Sequence, residues 1–496
     1  MRSKPMLFAV GSVPLLAACS LLLDFNGLQG GTKAVPDAGT GGSSGADGSA
    51  GNAGTDAAGA ASACADPACD DGDPCTVDRC DPSASDGCAH THTEGLGLEQ
   101  DFPPILADSQ IRVTLTAGSD AFYFSNLSLT GKKSEVEIFR LGQNDDTYTS
   151  LKQLSTFAAF TGAPVSVAGL AVDTSGVLGE SLRALVAVKD TAGSAQVWQL
   201  TADARGQFAI PNKVGDSYSP TLPYNYPVLR ALNGAVHGAW INADGTISVL
   251  SSAAGSGNAT LAKFGSSALP ASVLTLIGTD SNQPAVIFGG STNGVYLEAA
   301  GGSRTAMPEC QTGAGGYLSM SATGLAGHNG IWFSSWTKYV TGALTDEAHL
   351  VVCLNGACQP DTTSKCKAGD DNNLQRDAVS ESVHLPGDPA EQTYAISVIP
   401  GLTADADAGT TNANLVAFVV RLNSPLDKSG SSTAIGTPLI LASQAAMPDA
   451  FRGPDFPALA VLPGAQLKVA IAWIQPAVSG AGPDELHLQR YRMCVR

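Results

Sequence analysis

The stretch PVLRALNGAVHGAWINADGTISVL, residues 227–250, contains three short apolar runs that two turn dipeptides separate. Val, Leu, Ile and Trp dominate the runs, and these side chains fit the half-buried surface of a β-strand. The dipeptides Asn233-Gly234 and Asp244-Gly245 favour the positive φ angles that tight hairpins require. The stretch therefore predicts an antiparallel unit of three consecutive strands, of which the middle one is the most apolar.

The same unit recurs along most of the chain. Its middle strand is clearest in Gly238-Ala239-Trp240-Ile241 and Ile471-Ala472-Trp473-Ile474, which are near repeats of one another. Seven copies can be placed, and their middle strands start near residues 120, 183, 235, 284, 330, 415 and 468. Periods of roughly 40 to 50 residues with three or four strands are typical of β-propellers, in which each repeat forms one blade.

We therefore expect an all-β fold, with a seven-bladed β-propeller over residues 101–496. A pair of β-sandwich domains is the alternative, because hairpins and alternating apolar residues fit that architecture as well. The long interval between the fifth and sixth copies predicts a Cys-containing insertion at about residues 353–391. Cys353, Cys358 and Cys366 mark this segment, so we expect it to be a disulfide-stapled surface loop.

The composition limits the classes of partner. The chain has 496 residues, with 27 Lys and Arg against 45 Asp and Glu, a net charge of −18 and a pI near 4.6. This acidic surplus argues against a basic patch for nucleic acid or for an anionic lipid surface. After the first 25 residues, no apolar run reaches the roughly 20 residues that a membrane-spanning helix needs.

The N-terminus has the layout of an export signal. Two basic residues precede an apolar stretch, Met6 to Leu16, that is too short to span a membrane. The residues Leu16-Ala17-Ala18-Cys19 resemble the lipobox of bacterial lipoproteins. That resemblance implies a signal peptide at residues 1–18 and attachment of lipid, including palmitate, to the thiol of Cys19. An ordinary cleaved signal with an incidental cysteine is the alternative.

The same resemblance implies a location. Several acyl chains give stable attachment, so a membrane is the expected partner at this end of the protein. Ser20 stands where an Asp would resemble an inner-membrane retention signal, so sorting to the outer membrane is implied, at the cell surface or at the periplasmic face. Residues 19–63 are expected to hold the lipid anchor and a linker, and from about Gly27 to Ala63 the chain is Gly, Ala, Ser, Thr, Asp and Asn with almost no large apolar side chain. This composition predicts a flexible linker with a reach of about 30 to 35 Å.

Residues 64–93 predict a small disulfide module. The segment CDDGDPCTVDRCDP, residues 69–82, resembles the short modules with a CDDGxPCTxDxCDP core found in secreted and surface proteins of some Gram-negative bacteria. So short a segment has no core of its own, and disulfides are expected in an exported chain rather than zinc, whose C-x2-C spacing is missing. Asp70, Asp71 and Asp73 are weak calcium candidates. Their spacing differs from D-x-D-x-D-G, which favours solvated turns instead.

The cysteine count adds a constraint. Apart from Cys19, ten cysteines are candidates for disulfides, and they form two sets of five. The module contains Cys64, Cys69, Cys75, Cys80 and Cys88, and the main domain contains Cys310, Cys353, Cys358, Cys366 and Cys494. Two odd sets cannot both pair internally, so either one bridge joins the module to the main domain or each part keeps a free thiol. We favour the bridge, because an exposed thiol at a cell surface is reactive.

The sequence indicates no catalytic residue, cofactor or metal centre. The H-E-x-x-H, Walker A and G-x-G-x-x-G motifs are missing, and the seven His residues are spread along the chain. We expect a binding or scaffolding role at the envelope, with a protein or glycan partner on the propeller loops. The alternative is an envelope enzyme that acts on polysaccharide through paired carboxylates in the propeller channel, an arrangement set by space rather than by sequence spacing.

Overall fold

A computed structural model describes residues 69–107, 113–130, 133–153, 157, 164–173, 181–189, 195–203, 206–215, 218, 227–232, 235–253, 259–264, 271–278, 284–290, 294–299, 304–306, 315–324, 331–340, 345–354, 357–360, 379–384, 393–405, 410–422, 432–445, 455–462, 467–477 and 483–495. These residues form β-strands joined by turns, and none of them belongs to a helix long and apolar enough to cross a membrane. The predicted signal peptide, the lipid-attachment cysteine and the linker lie outside the described residues.

The N-terminal part forms four short strands, β1 (Thr76–Cys80), β2 (Cys88–His92), β3 (Gly95–Asp101) and β4 (Ile105–Ala107). β1 and β2 form an antiparallel hairpin in which Cys80 lies opposite Cys88. This hairpin is the body of the Cys-rich module. β3 and β4 instead join the last sheet of the chain.

The remaining strands form seven antiparallel sheets, which we call blades 1 to 7, with the strands of each sheet in chain order. Blade 1 contains β5 (Thr114–Ala117), β6 (Ala121–Thr130), β7 (Lys133–Gly142) and β8 (Thr149–Gln153). Blade 2 contains β9 (Pro164–Asp173), β10 (Ser181–Lys189), β11 (Ala195–Ala202) and β12 (Asn212–Gly215). Blade 3 contains β13 (Val228–Leu232), β14 (Ala235–Ile241), β15 (Ile247–Ala253) and β16 (Ala259–Phe264).

The second half of the ring follows the same plan. Blade 4 contains β17 (Ala271–Gly278), β18 (Pro284–Gly290), β19 (Gly294–Ala299) and β20 (Arg304–Ala306). Blade 5 contains β21 (Gly315–Gly324), β22 (Ile331–Val340), β23 (Thr345–Leu354) and β24 (Ala357–Pro360). Blade 6 contains β25 (Val379–His384), β26 (Thr393–Asp405), β27 (Thr410–Leu422) and β28 (Ser432–Ala445). Blade 7 contains β29 (Asp455–Leu462), β30 (Lys468–Gln475) and β31 (Asp484–Cys494), followed by β3.

The seven blades form a closed ring. The first strand of each blade contacts the first strand of the next, from β5 through β9, β13, β17, β21 and β25 to β29, and β29 contacts β5. Repetition of a four-stranded antiparallel sheet around one axis is the architecture of a β-propeller. The fold is therefore an all-β, seven-bladed propeller. The period in the sequence predicted this fold correctly, and the alternative of two β-sandwiches is wrong.

The second strand of a blade is apolar on both faces because neighbouring blades cover it from both sides. In β14, Trp240 packs in one cluster with Leu185 of blade 2, whereas Ile241 packs in another with Phe288 of blade 4. All four side chains are at most 1% exposed. Apolar layers between blades thus build the core, and a strand buried on both faces shows a continuous apolar run rather than alternation.

One blade differs from the prediction. Six of the predicted middle strands coincide with second strands of blades, but the run placed near residue 415 belongs to β27, the third strand of blade 6. The predicted insertion at residues 353–391 contains two blade strands, β24 and β25, in place of a plain surface loop. The sequence of β25, VSESVH, contains only two apolar residues, Val379 and Val383, so no apolar run marks it as the first strand of a blade.

The last blade takes its outermost strand from the N-terminal part of the chain. β3 pairs antiparallel with β31, with Gly95 opposite Cys494, and β4 pairs with the first residues of β31. The propeller therefore begins at Gly95, ahead of the predicted boundary at residue 101. The sheet that closes the ring contains both early and late segments of the sequence.

Candidate functional site

The pairing of β3 places the Cys-rich module on one face of the propeller. β31 begins at the turn that joins it to β30, so its last residue, Cys494, lies at the other end of the blade. Gly95 pairs with Cys494 at that end, and the module precedes Gly95 in the chain. We call this end the module face. The turns between second and third strands lie on the opposite face.

A disulfide joins the module to the end of the last blade. Cys75 is bonded to Cys494, with 5.3 Å between their Cα atoms. Both residues are buried, with exposures of 6% and 2%. The bridge that the odd cysteine count favoured is therefore present. A second disulfide, between Cys69 and Cys88, closes the module on itself.

The other cysteine candidates have different positions. Cys80 is also disulfide-bonded. Cys353 in β23 lies opposite Cys358 in β24 in the register of blade 5. Three further candidates, Cys64, Cys310 and Cys366, lie outside the described residues, as does Cys19. The pairing of these cysteines stays a prediction.

Two glycines allow the backbones of the module and the blades to meet. A Cβ atom at Gly97 in β3 would overlap the carbonyl group of Pro74 in the module. A Cβ atom at Gly436 in β28 would overlap the carbonyl group of Glu94, and Gly436 also has a φ of +68°. Glycine is the residue that adopts this conformation without steric cost. Pro74 of the module thus contacts blade 7, and Glu94, the residue that joins the module to β3, contacts blade 6.

A buried carboxylate holds β3 against blade 7. Glu99, whose side chain is 9% exposed, lies between three cationic side chains. Its Oε2 is 3.2 Å from Lys468 Nζ and 3.2 Å from Arg490 Nε, and its Oε1 is 3.1 Å from Arg492 Nε. A β-bulge between Leu98 and Gln100 leaves Glu99 out of the pairing with β31. Bulges of this kind redirect a side chain, and here the redirected side chain is the anion that the three cations share.

The cations of this group also bind two other parts of the protein. Lys468 Nζ donates hydrogen bonds to the carbonyl of Gln143 and to Asn144 Oδ1 in the turn between the third and fourth strands of blade 1, at 2.9 and 3.0 Å. Arg492 Nη1 donates to Asp73 Oδ1 of the module at 3.0 Å. The charge cluster, defined as Glu99 with its three cationic partners, therefore connects β3, blade 7, blade 1 and the module at one point.

A separate polar group lies on the surface of the module. His90 Nδ1 is 2.7 Å from Asp78 Oδ1 and 3.4 Å from Asp71 Oδ2. The hydrogen bond with Asp78 raises the pKa of His90, and the same bond lowers the pKa of Asp78. One ligand atom from each of the three residues lies within 4.8 Å of the others, so they form the kind of group that can hold a metal ion. The 2.7 Å contact between His90 and Asp78 also has the length of a charge-assisted hydrogen bond, which forms without a metal ion.

The three calcium candidates do not act as one set of ligands. Only Asp71 belongs to the group with His90. Asp70 Oδ1 accepts a hydrogen bond from the amide of Gly72 at 2.9 Å, and Asp73 Oδ1 accepts one from the amide of Cys75 at 3.0 Å. Aspartates that cap their own turns in this way stabilise a loop without an ion. The calcium assignment gains no support from these contacts.

The strands around the channel carry few carboxylates. The first strands of the seven blades contain three, namely Asp173 in β9, Glu381 in β25 and Asp455 in β29. Asp173 ends its strand on the module face, and Asp455 begins its strand on the opposite face. A strand of eight to ten residues is about 25 to 30 Å long, so the backbones of these two residues lie near opposite ends of their blades.

The described His and Trp residues of blade 3 serve the packing of the blade. His237 is 4% exposed, its Nδ1 lies 2.9 Å from Ser251 Oγ, and burial lowers its pKa. Trp240 is 1% exposed, and its Nε1 donates to Asn242 Oδ1 at 3.1 Å. Trp473 occupies the corresponding place in blade 7 and is 2% exposed. None of these aromatic rings is open to a sugar ligand.

Comparisons with known proteins identify similar folds. No protein-family model matches the sequence, and no curated protein matches it. An α-L-arabinanase of Penicillium chrysogenum in complex with arabinobiose is 10% identical, with a TM-score of 0.41 over 78% of this chain and 98% of that one. The sialidase of Trypanosoma rangeli is 9% identical, with a TM-score of 0.37 over 82% and 56%. The SapL1 lectin in complex with α-methyl fucoside is 14% identical, with a TM-score of 0.38 over 69% and 98%. At these identities the similarity concerns the fold alone.

Proposed function

We propose that the protein is an outer-membrane lipoprotein, anchored by lipid on Cys19, whose propeller serves as a rigid scaffold that binds a protein or glycan at the envelope. The observation that carries this proposal is the fixed attachment of the module to the propeller. Cys75 is bonded to Cys494, and the charge cluster holds β3 in blade 7. The N-terminal segment therefore leaves a rigid body at one defined face.

The order of the parts supports anchoring at this end. The motif Leu16-Ala17-Ala18-Cys19 resembles a lipobox, and residues 27–63 have the composition of a flexible linker. The linker leads into the module, and the module is attached at the module face. A protein anchored in this order presents the opposite face away from the attachment. Loops on a rigid frame are the usual place of recognition sites.

The opposite face has the features of such a recognition surface. In blade 3 its turn is stabilised by hydrogen bonds from Thr246 to Asp244 Oδ1 and from the amide of Gly245 to the carbonyl of Asn242. In blade 6, β26 and β27 have 13 residues each, whereas β14 has 7. Six more residues correspond to about 20 Å of additional strand. We propose that the partner binds on this uneven face.

Labelling and fractionation test the anchor. Wild-type protein produced in a Gram-negative host is expected to incorporate labelled palmitate and to sediment with outer membranes. Cys19→Ala should abolish the label and release the protein into the soluble fraction, and Ser20→Asp should keep the label but retain the protein at the inner membrane. Membrane association of the unlabelled Cys19→Ala variant would contradict the proposal.

Cross-linking and an activity assay test the binding role. A photoreactive residue in place of Asp244, on the opposite face, should capture a defined envelope component, whereas the same residue in place of the exposed Asp146, on the module face, should not. Equal capture at both positions would contradict the assignment of the face. Depolymerisation of envelope polysaccharide by the purified protein would replace the scaffold role with an enzymatic one.

A further inference from the structure

The outermost strand of blade 7 is exposed to any pull on the N-terminal segment. β3 is bound to β31 by a ladder of backbone pairs that starts with Gly95 and Cys494. A force that enters at Gly95 acts on the first pair of this ladder before the others. Interstrand hydrogen bonds in an antiparallel ladder are perpendicular to the strands, so the pairs would break one after another. Peeling of β3 would open the blade that closes the ring.

The disulfide between Cys75 and Cys494 changes the path of such a force. Cys75 lies 20 residues ahead of Gly95 in the chain, and its partner Cys494 is the residue opposite Gly95 in the ladder. A pull that arrives from the N-terminal side reaches Cys75 along the chain before Gly95, so the sulfur atoms carry load to β31. The Cys69–Cys88 bridge gives a second route to β3 through Cys88, and the two routes share the load. β31 is an inner strand of its sheet, paired with β30 on one side and with β3 and β4 on the other.

We propose that the Cys75–Cys494 disulfide is a strain-relief link, which transfers pull on the N-terminal segment to β31 and keeps β3 in place. Two non-covalent contacts reinforce the same junction. Arg492, two residues before Cys494, donates to Asp73, two residues before Cys75, at 3.0 Å, and Glu99 fixes the middle of β3. The proposal rests on the proposed function in one respect, namely that a membrane anchor supplies the pull.

Single-molecule pulling tests this link without a membrane. The exported full chain carries Cys19→Ser, which removes the predicted lipid site, and azide-bearing residues at positions 43 and 244 attach the two handles. In the oxidised protein, no extension step is expected before the blades unfold. In Cys75→Ser/Cys494→Ser, an early step should appear at a lower force. Because the Cys69–Cys88 bridge stays intact, this step should release the 13 residues from Cys88 to Asp101. Their fully extended length is about 45 Å.

A control variant and a second handle position show whether the Cys75–Cys494 disulfide itself protects β3. Cys69→Ser/Cys88→Ser is the matched control, because it removes a disulfide of the module but leaves the junction, and it should show no early step. Moving the first handle to the exposed residue Glu94 in the otherwise unchanged chain makes the force bypass the disulfide, so an early step is expected even if the double variant fails to fold. An early step in the oxidised protein pulled from position 43, or none from Glu94, would overturn the proposal. Since Cys19 is replaced throughout, these results do not depend on lipidation.

Discussion

Replacement of Glu99 by Gln removes the one carboxylate shared by the charge cluster. Lys468 and Arg490 would remain 8% and 5% exposed, without the anion that lies 3.2 Å from each of them. Removal of one partner from a buried ion pair costs about 3–5 kcal/mol. Both cations keep hydrogen bonds to blade 1, from Lys468 to the Gln143 carbonyl and from Arg490 to the Asp145 carbonyl. We therefore expect the lower end of the range, about 3 kcal/mol, in the free energy that holds β3 in its sheet.

Hydrogen exchange of the β3 amides measures this quantity. A loss of about 3 kcal/mol corresponds to exchange roughly 150-fold faster, provided that exchange follows local opening. Glu485→Gln is the matched control, since the side chain of Glu485 is 45% exposed and lies 3.4 Å from His487 in the same blade. Exposed pairs contribute about 0–1 kcal/mol. If β3 in the Glu99→Gln variant exchanged within threefold of wild type, or no faster than in the control, the structural role of Glu99 would be refuted.

Two further predictions concern the module and its junction. Titration of His90 by NMR should give a pKa above 6.5, lower in Asp78→Asn, because Asp78 holds the imidazolium; an unchanged pKa in the variant would exclude this contact. The contact between His90 and Asp78 therefore stabilises the module most between about pH 4 and 6.5. This stabilisation is lost as the pH rises through the raised pKa of His90, and it is lost as the pH falls through the lowered pKa of Asp78. Gly436→Ala should lower stability by about 2–4 kcal/mol through its φ of +68° and the overlap with the Glu94 carbonyl. Gly72→Ala, with a φ of +73° and open space around it, should cost only about 1 kcal/mol, and equal thermal midpoints for the two variants would contradict the close contact.

The sequence predicted the second strands of the blades because their burial on both faces leaves a continuous apolar run. β30, with the sequence KVAIAWIQ, is buried along almost its whole length and was located within a residue. Outer strands carry a weaker signal. β12, with the sequence NKVG, is paired on one side and half exposed, so its composition resembles that of a loop. The three-strand unit derived from the sequence therefore lacked the fourth strand of six blades, and in blade 6 it lacked the first strand, β25.

The charge cluster could not be derived from sequence spacing, because Glu99 and Arg492 are 393 residues apart. The sequences of β30 and β31 nevertheless give a partial indication of the charge cluster. Arg490 and Arg492 flank the buried Tyr491 in a strand that is otherwise half apolar, and Lys468 begins the apolar strand β30. Three cations in strands of a packed blade require an anion, since unpaired buried charges are costly. The sequence indicated that a partner was needed, and the topology shows that the N-terminal strand supplies it.

Non-reducing peptide mapping tests whether the N-terminal module is covalently joined to the last blade of the propeller, at β31. Digestion of the oxidised protein with trypsin and with a protease that cleaves before Asp should release the segments Asp73–Val77 and Met493–Arg496, each of which contains one cysteine. The structure predicts that these two peptides are recovered as one disulfide-linked species, which separates on reduction. Recovery of Cys75 linked to another cysteine of the module, with Cys494 free or paired elsewhere, would contradict the claim and remove the basis of the proposed scaffold.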